Sequence, residues 1–147
     1  MSEQYQLSKY LAATYRLSKN DFNQQLAGLD VRATESDLLL FILDHPERSQ
    51  REIALEMVID PSLLARDLRD LAQRQLVTRI SDVKDKRIKR ITLTAAGVTL
   101  ARQLQNVMDT WWTDFFNAHP EVDQTSFTTQ LKLVYQALTL FPSSKEF

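Results

Sequence analysis

Two runs of strand type on either side of a polar, basic tip are the feature that most limits what this chain can fold into. Leu76 to Ile80 and Ile88 to Leu93 alternate apolar and polar residues, and the connection from Ser81 to Arg87 is polar apart from Val83. Such a layout makes a hairpin with one wet face. From Arg74 to Arg90 the chain carries seven basic residues against two acidic ones, although the net charge of all 147 residues is only -1. Residues 1–47 carry -3, residues 48–90 carry +4 and residues 91–147 carry -2. A basic ribbon on a near-neutral body calls for a polyanionic partner. Lysines on exposed strands also guard against edge-to-edge aggregation, so the charge has a purely protective reading as well.

The segments before the hairpin read as helices. Leu7, Leu11, Leu17, Phe22 and Leu26 recur at roughly helical spacing over residues 3–27, ahead of Gly28. Thr34 is an expected cap for a helix over residues 35–44, whose run Leu38 to Leu43 is apolar on every side and belongs in the middle of a core. Glu35 and Asp37 lie two apart, do not face each other on a helix, and serve its first turn better than acid and base catalysis. Ser49-Gln50-Arg51-Glu52 has the form of a capping box for a helix to about Met57, with Ile53, Ala54 and Met57 inward. Asp60-Pro61 then opens a helix to about Arg74, an N-cap acid followed by a proline at the first helical position. Its buried stripe is Leu64, Leu68 and Leu71, which leaves Ser62, Leu63, Arg66, Arg69 and Asp70 outside. Leu63 is either one exposed leucine of no consequence or a contact for a thymine methyl.

Two short helices joined tightly and followed by a basic hairpin make a winged helix-turn-helix, in which the second helix enters the major groove of duplex DNA. The residues that would meet DNA are Ser49 and Gln50 at the head of the first helix, Ser62, Leu63, Arg66 and Arg69 on the second, and Lys84, Lys86, Arg87 and Lys89 on the wing. The stretch Asp85-Lys86-Arg87-Ile88-Lys89-Arg90-Ile91-Thr92-Leu93-Thr94, followed by Gly97, resembles the wing signature of the multiple antibiotic resistance regulator (MarR) family. The match extends back through Leu71, Leu76, Val77 and Arg79, and the order of helices agrees along nearly the whole chain. The resemblance implies a mainly α fold, a homodimer on a pseudo-palindromic operator, and a repressor relieved by a small aromatic or amphipathic molecule. It also implies that Arg87 reaches the minor groove while Asp85 supports the wing tip. Family members usually carry glycine where this chain has Gln75, so that turn takes a left-handed non-glycine residue or another path.

After Ala95 a long helix carries Trp111, Trp112, Phe115 and Phe116 close together, and a last helix aligns Phe127, Leu131, Val134, Leu138 and Phe141. This is more apolar surface than a small domain covers alone. With Leu7 and Leu11 of the first helix, the residues Trp111, Phe115, Phe127, Leu131, Val134 and Leu138 are expected to form a dimerisation layer. The expected organisation is a single domain with residues 1–33 and 95–147 in that layer and residues 34–94 binding DNA. Packing within one chain is the competing account of the aromatics.

Other functions find little support. Cysteine is absent, His45 and His119 are far apart, and two glycines cannot make a glycine-rich phosphate loop. No enzyme, metal or cofactor is expected. No run reaches membrane-spanning length and the N-terminus lacks a secretory layout, so the expected location is the cytoplasm. The rival from another class is a winged-helix adaptor that binds proteins and not DNA.

Overall fold

The computed structural model describes residues 3–140; the expected position of Phe141 in the last stripe lies outside them. Among the described residues there are six α-helices and a small sheet: α1 (Gln6–Gln25), α2 (Ala33–Asp44), β1 (Arg48–Ser49), α3 (Gln50–Met57), α4 (Pro61–Gln73), β2 (Val77–Ser81), β3 (Lys89–Leu93), α5 (Ala95–Ala118) and α6 (Gln124–Leu140). A 3-10 turn, Ala27–Leu29, lies between α1 and α2. The sheet is antiparallel in the order β1-β3-β2, with Val77 opposite Leu93 and Arg48 opposite Ile91. The hairpin was expected as two strands. The third is a two-residue edge that runs into α3, too short to leave a periodic signal.

Contacts divide the chain into two compact units, with the boundary between Met108 and Asp109, inside α5. The first unit contains the winged module. Leu38, Leu39 and Ile42 of α2 meet Ile53 of α3, Leu64, Leu68 and Leu71 of α4 and Ile91 of β3 in a core where each is at most 1% exposed. No residue from Leu38 to Leu43 is exposed, as the all-round apolar run required. The start of α2 differs from the expectation. The Arg32 N–H donates to Glu35 Oε1 at 3.0 Å, so the helix is capped from within and begins at Ala33, with Thr34 inside it.

Two other helix ends follow their sequence signals, and a third, at the head of α5, has a cap that was not singled out. Ser49 Oγ accepts from the Glu52 N–H (3.1 Å), and Glu52 accepts from the Ser49 N–H (3.4 Å), completing the capping box. Asp60 accepts from the Leu63 N–H at 3.2 Å ahead of Pro61. Thr94 Oγ1 accepts from the Gly97 N–H (3.0 Å) at the head of α5 and donates to Gln75 O (2.7 Å). The exit of α4 takes the left-handed path. Gln75 has φ 58°, its N–H donates to Ala72 O, and the Leu76 N–H donates to Leu71 O at 2.9 Å. Those two bonds and the burial of Leu71 and Leu76 make a Schellman closure without glycine.

In the second unit Trp111 stacks on Phe115 (centroids 5.6 Å apart), Trp112 on Phe116 (5.8 Å), and Phe116 lies 6.2 Å from Phe127. Trp111 and Phe115 are half-buried, whereas Phe127, Leu131, Val134 and Leu138 are exposed, as are Leu7 and Leu11 in the first unit. The early α1 leucines therefore do not join the core of their own unit, which takes only Phe22 and Leu26 of that stripe.

Candidate functional site

The winged module places α4 and the β2–β3 hairpin in one unit, and most of the expected contact residues are on its surface. Ser62, Arg66 and Arg69 are exposed along α4, with the Arg66 side chain 3.6 Å from Asp67 and Arg69 Nε on Ala65 O at 3.4 Å. Leu63, expected outside, is half-buried and offers only part of its surface. Gln50 is half-buried at the head of α3. Ser49 is buried and its hydroxyl caps α3, which gives it a positioning duty and little surface to present.

The wing is shaped by its two acids. Asp82 accepts from the Lys84 and Asp85 amides (3.0 and 3.1 Å), an Asx turn that starts the tip. Asp85 accepts from the Arg87 backbone N–H at 3.0 Å and takes the Arg87 guanidinium on both oxygens at 3.1 Å. The Arg87 side chain is nevertheless 91% exposed. The side chains of Lys84 and Lys86 are exposed and form no ion pair among the described residues, and Lys89 Nζ donates to Ser81 Oγ at 2.7 Å. Arg90 holds the Asp82 carboxyl below the usual carboxylate range, and Arg87 does the same for Asp85, so both acids stay charged.

Four of the seven cations counted from Arg74 to Arg90, namely Arg74, Arg87, Lys89 and Arg90, are engaged by the protein. Arg74 is turned away from the wing altogether: its Nη2 donates to Asp30 O (2.8 Å) and its Nη1 lies 3.6 Å from Asp70 and 3.8 Å from Glu35. Arg32 bridges Glu35 and Asp67 nearby (3.4 and 2.9 Å). Burial raises the Glu35 carboxyl above its ordinary range, helped by its hydrogen bond with Asp70, while Asp70 is lowered by that same bond and then by Arg32 and Arg74. The two carboxyls are pushed in opposite directions, Glu35 toward its neutral form and Asp70 toward its charged form. A cavity of about 420 Å³ lined by Asn23, Arg32, Glu35, Asp70 and Arg74 opens beside this cluster.

Sequence reasoning missed Asp82, Glu52 and Arg90 as parts of the wing's support. An acid entering a polar tip, with a basic residue diagonally across in the returning strand, was the available signal. Among the described residues no cluster of three or more His, Cys, Asp or Glu side chains could hold a metal ion, and no helix is long and apolar enough to cross a membrane.

Residues 27–88 match the model of the MarR family. The fold is that of several solved regulators. A MarR transcriptional regulator from Methanosarcina mazei Go1 superposes with a TM-score of 0.80 at 20% identity, over 91% of this chain and 97% of that one. BldR, a transcriptional regulator from Sulfolobus solfataricus, gives 0.79 at 23% identity over 95% and 99%. MepR from S. aureus, solved in complex with DNA, gives 0.74 at 19% identity over 90% and 96%.

Proposed function

For a chain whose residues 27–88 match the MarR family and whose fold is that of the family's regulators, we propose a homodimeric DNA-binding transcriptional repressor with a pseudo-palindromic operator. The observation that carries this reading is the pairing, in one compact unit, of an exposed α4 face bearing Ser62, Arg66 and Arg69 with a wing tip bearing Lys84, Lys86 and Arg87. An α-helix of that size fits a major groove, and a solvent-facing guanidinium on a narrow hairpin fits the adjacent minor groove. Residues 34–94 form the DNA-binding region in this reading. Residues 1–33 and 95–147 supply the dimer in this reading, because Leu7 and Leu11 in the first unit and Phe127, Leu131, Val134 and Leu138 in the second are each left exposed for a second copy to cover.

Binding to genomic duplex fragments across a salt series tests the core of the proposal. A dimer making roughly six to ten phosphate contacts should lose on the order of a thousandfold in affinity between about 50 and 200 mM salt, with about 20 base pairs protected. Binding that is flat with salt, or absent, favours the protein adaptor instead. Relief by a small aromatic or amphipathic molecule rests on the family resemblance, and such a ligand must favour a DNA-incompatible state over the compatible one. A panel of phenolic and lipophilic acids that shifts neither the melting temperature nor operator binding removes that part of the reading.

A further inference from the structure

We propose that Arg90 is a positioning residue that locks the wing tip to the head of α3, so that Arg87 is presented to DNA at a fixed angle to α4. The inference rests on the DNA-binding reading above and adds a specific device to it. Arg90 sits in β3, and its guanidinium meets acceptors from three separate segments. Nε donates to Asp82 Oδ1 at 2.8 Å, Nη1 donates to the Glu47 carbonyl at 3.1 Å, and Nη1 lies 3.6 Å from Glu52 Oε1. Asp82 is the residue whose carboxylate templates the tip through the Lys84 and Asp85 amides. Glu52 is the residue whose carboxylate completes the α3 capping box. Glu47 precedes β1 with a left-handed backbone, φ 66°, which orients its carbonyl at the start of that edge strand.

The contacts run from the α3 cap through the Glu52–Arg90 ion pair to Asp82, from Asp82 through the tip amides to Asp85, and from Asp85 to both the backbone and the guanidinium of Arg87. A planar fork with fixed donor directions can serve three acceptors at once, whereas an ammonium is a point charge on a flexible stem. The Arg90 side chain is 35% exposed against 91% for Arg87, so the two arginines of one hairpin are set for different duties, one turned toward the protein and one toward solvent.

The test is a double-mutant cycle read by anisotropy on an operator duplex chosen from bound genomic fragments. Arg90→Gln and Arg90→Lys should each weaken binding about tenfold, a mid-range value for coupled residues, and neither should weaken it further in an Arg87→Ala background. Full binding by Arg90→Lys, or losses that add to that of Arg87→Ala, would identify a direct phosphate contact and overturn the proposal. Asp82→Asn breaks the same link from the other side and carries the cycle if the Arg90 variants fail to fold. Amide exchange needs no DNA: Arg90→Gln should speed exchange at Lys84 and Asp85, and unchanged exchange there overturns the coupling. A wild-type protein that binds no duplex overturns the DNA-binding reading, and exchange still decides whether Arg90 braces the wing.

Discussion

The chain has two glycines, and replacing each with alanine should move stability in opposite directions. A Cβ built on Gly97 stands 2.0 Å from the Leu76 carbonyl oxygen, 3.1 Å from its carbon and 3.3 Å from the Leu93 Cβ. Close carbon-to-oxygen contacts settle near about 3.3 Å, so the backbone at Leu76 or the first turn of α5 must give by more than about 1 Å. That oxygen accepts the Thr94 N–H at 3.0 Å, and Thr94 caps α5 through the Gly97 N–H itself, so yielding there disturbs a ladder bond and a cap together. Overpacking, the lost bond and the weakened cap together amount to about 3–5 kcal/mol. Gly28 has nothing within 4 Å and no positive φ, so Gly28→Ala should gain about 0.5 kcal/mol by restricting the unfolded chain. Urea unfolding at one fixed protein concentration reads both, because a dimer's stability depends on concentration. With a slope near about 2 kcal/mol/M, Gly97→Ala should lower the midpoint by roughly 2 M. A Gly97→Ala protein within about 0.5 kcal/mol of wild type, or two glycine changes of the same sign, would refute the reasoning.

Three further outcomes are expected. Arg66→Ala should relax base preference at one position per half-site by about 1–3 kcal/mol, whereas Arg87→Ala should weaken binding to all sequences, most at A·T-rich flanks; equal losses on every duplex would show the roles to be wrongly divided. Val58 holds φ 55° in the turn between α3 and α4 and is 79% exposed, so Val58→Gly should relieve a strained β-branched residue and raise stability by about 1 kcal/mol, seen as a melting temperature higher by about 3 °C. A lower melting temperature would mean that the Val58 side chain is covered in the working protein. Because the Glu35 carboxyl is raised, its contribution is present at low pH and fades as pH climbs through the raised value; Glu35→Gln has no such titration, and its melting temperature relative to wild type should increase from acid toward neutral pH. A difference that does not vary with pH would mean that Glu35 titrates alike in the folded and the unfolded chain.

What the sequence made legible was whatever depends on neighbours in the chain. Ser49 with Glu52, Asp60 with Pro61, and the apolar run of α2 each specify an element through contacts a few residues away, and each formed as read. Arg74 was not legible: its place in the sequence suggests the basic ribbon, but the carbonyl of Asp30, 44 residues away, and the carboxyls of Glu35 and Asp70 claim it. Arg90 was missed for the same reason, since a long cationic side chain chooses its partners in space. Backbone exceptions were half legible. Gln75 stood out against a family glycine, but Val58 and Glu47, also left-handed, occupy joints whose geometry is imposed by the elements they connect. The stripes of α1 and α6 were visible as periodic apolar residues, and the expectation that one chain leaves them uncovered came from the amount of apolar surface and not from periodicity.

The clasp between Arg87 and Asp85 bears on how fast such a protein could search a genome. A guanidinium already clasped along one edge by its own carboxylate gains little from exchanging that partner for a phosphate, because such an exchange at an exposed site is worth no more than about 1 kcal/mol. In the proposed DNA-binding role, random duplex would therefore get only a brief grip from Arg87, and the protein would slide or hop onward. At a narrow A·T groove, where negative potential surrounds the inserted cation, the exchange becomes favourable and dwell time lengthens. Asp85 would then act as a brake on promiscuity, setting the speed of scanning by weakening the hold of Arg87 on ordinary DNA.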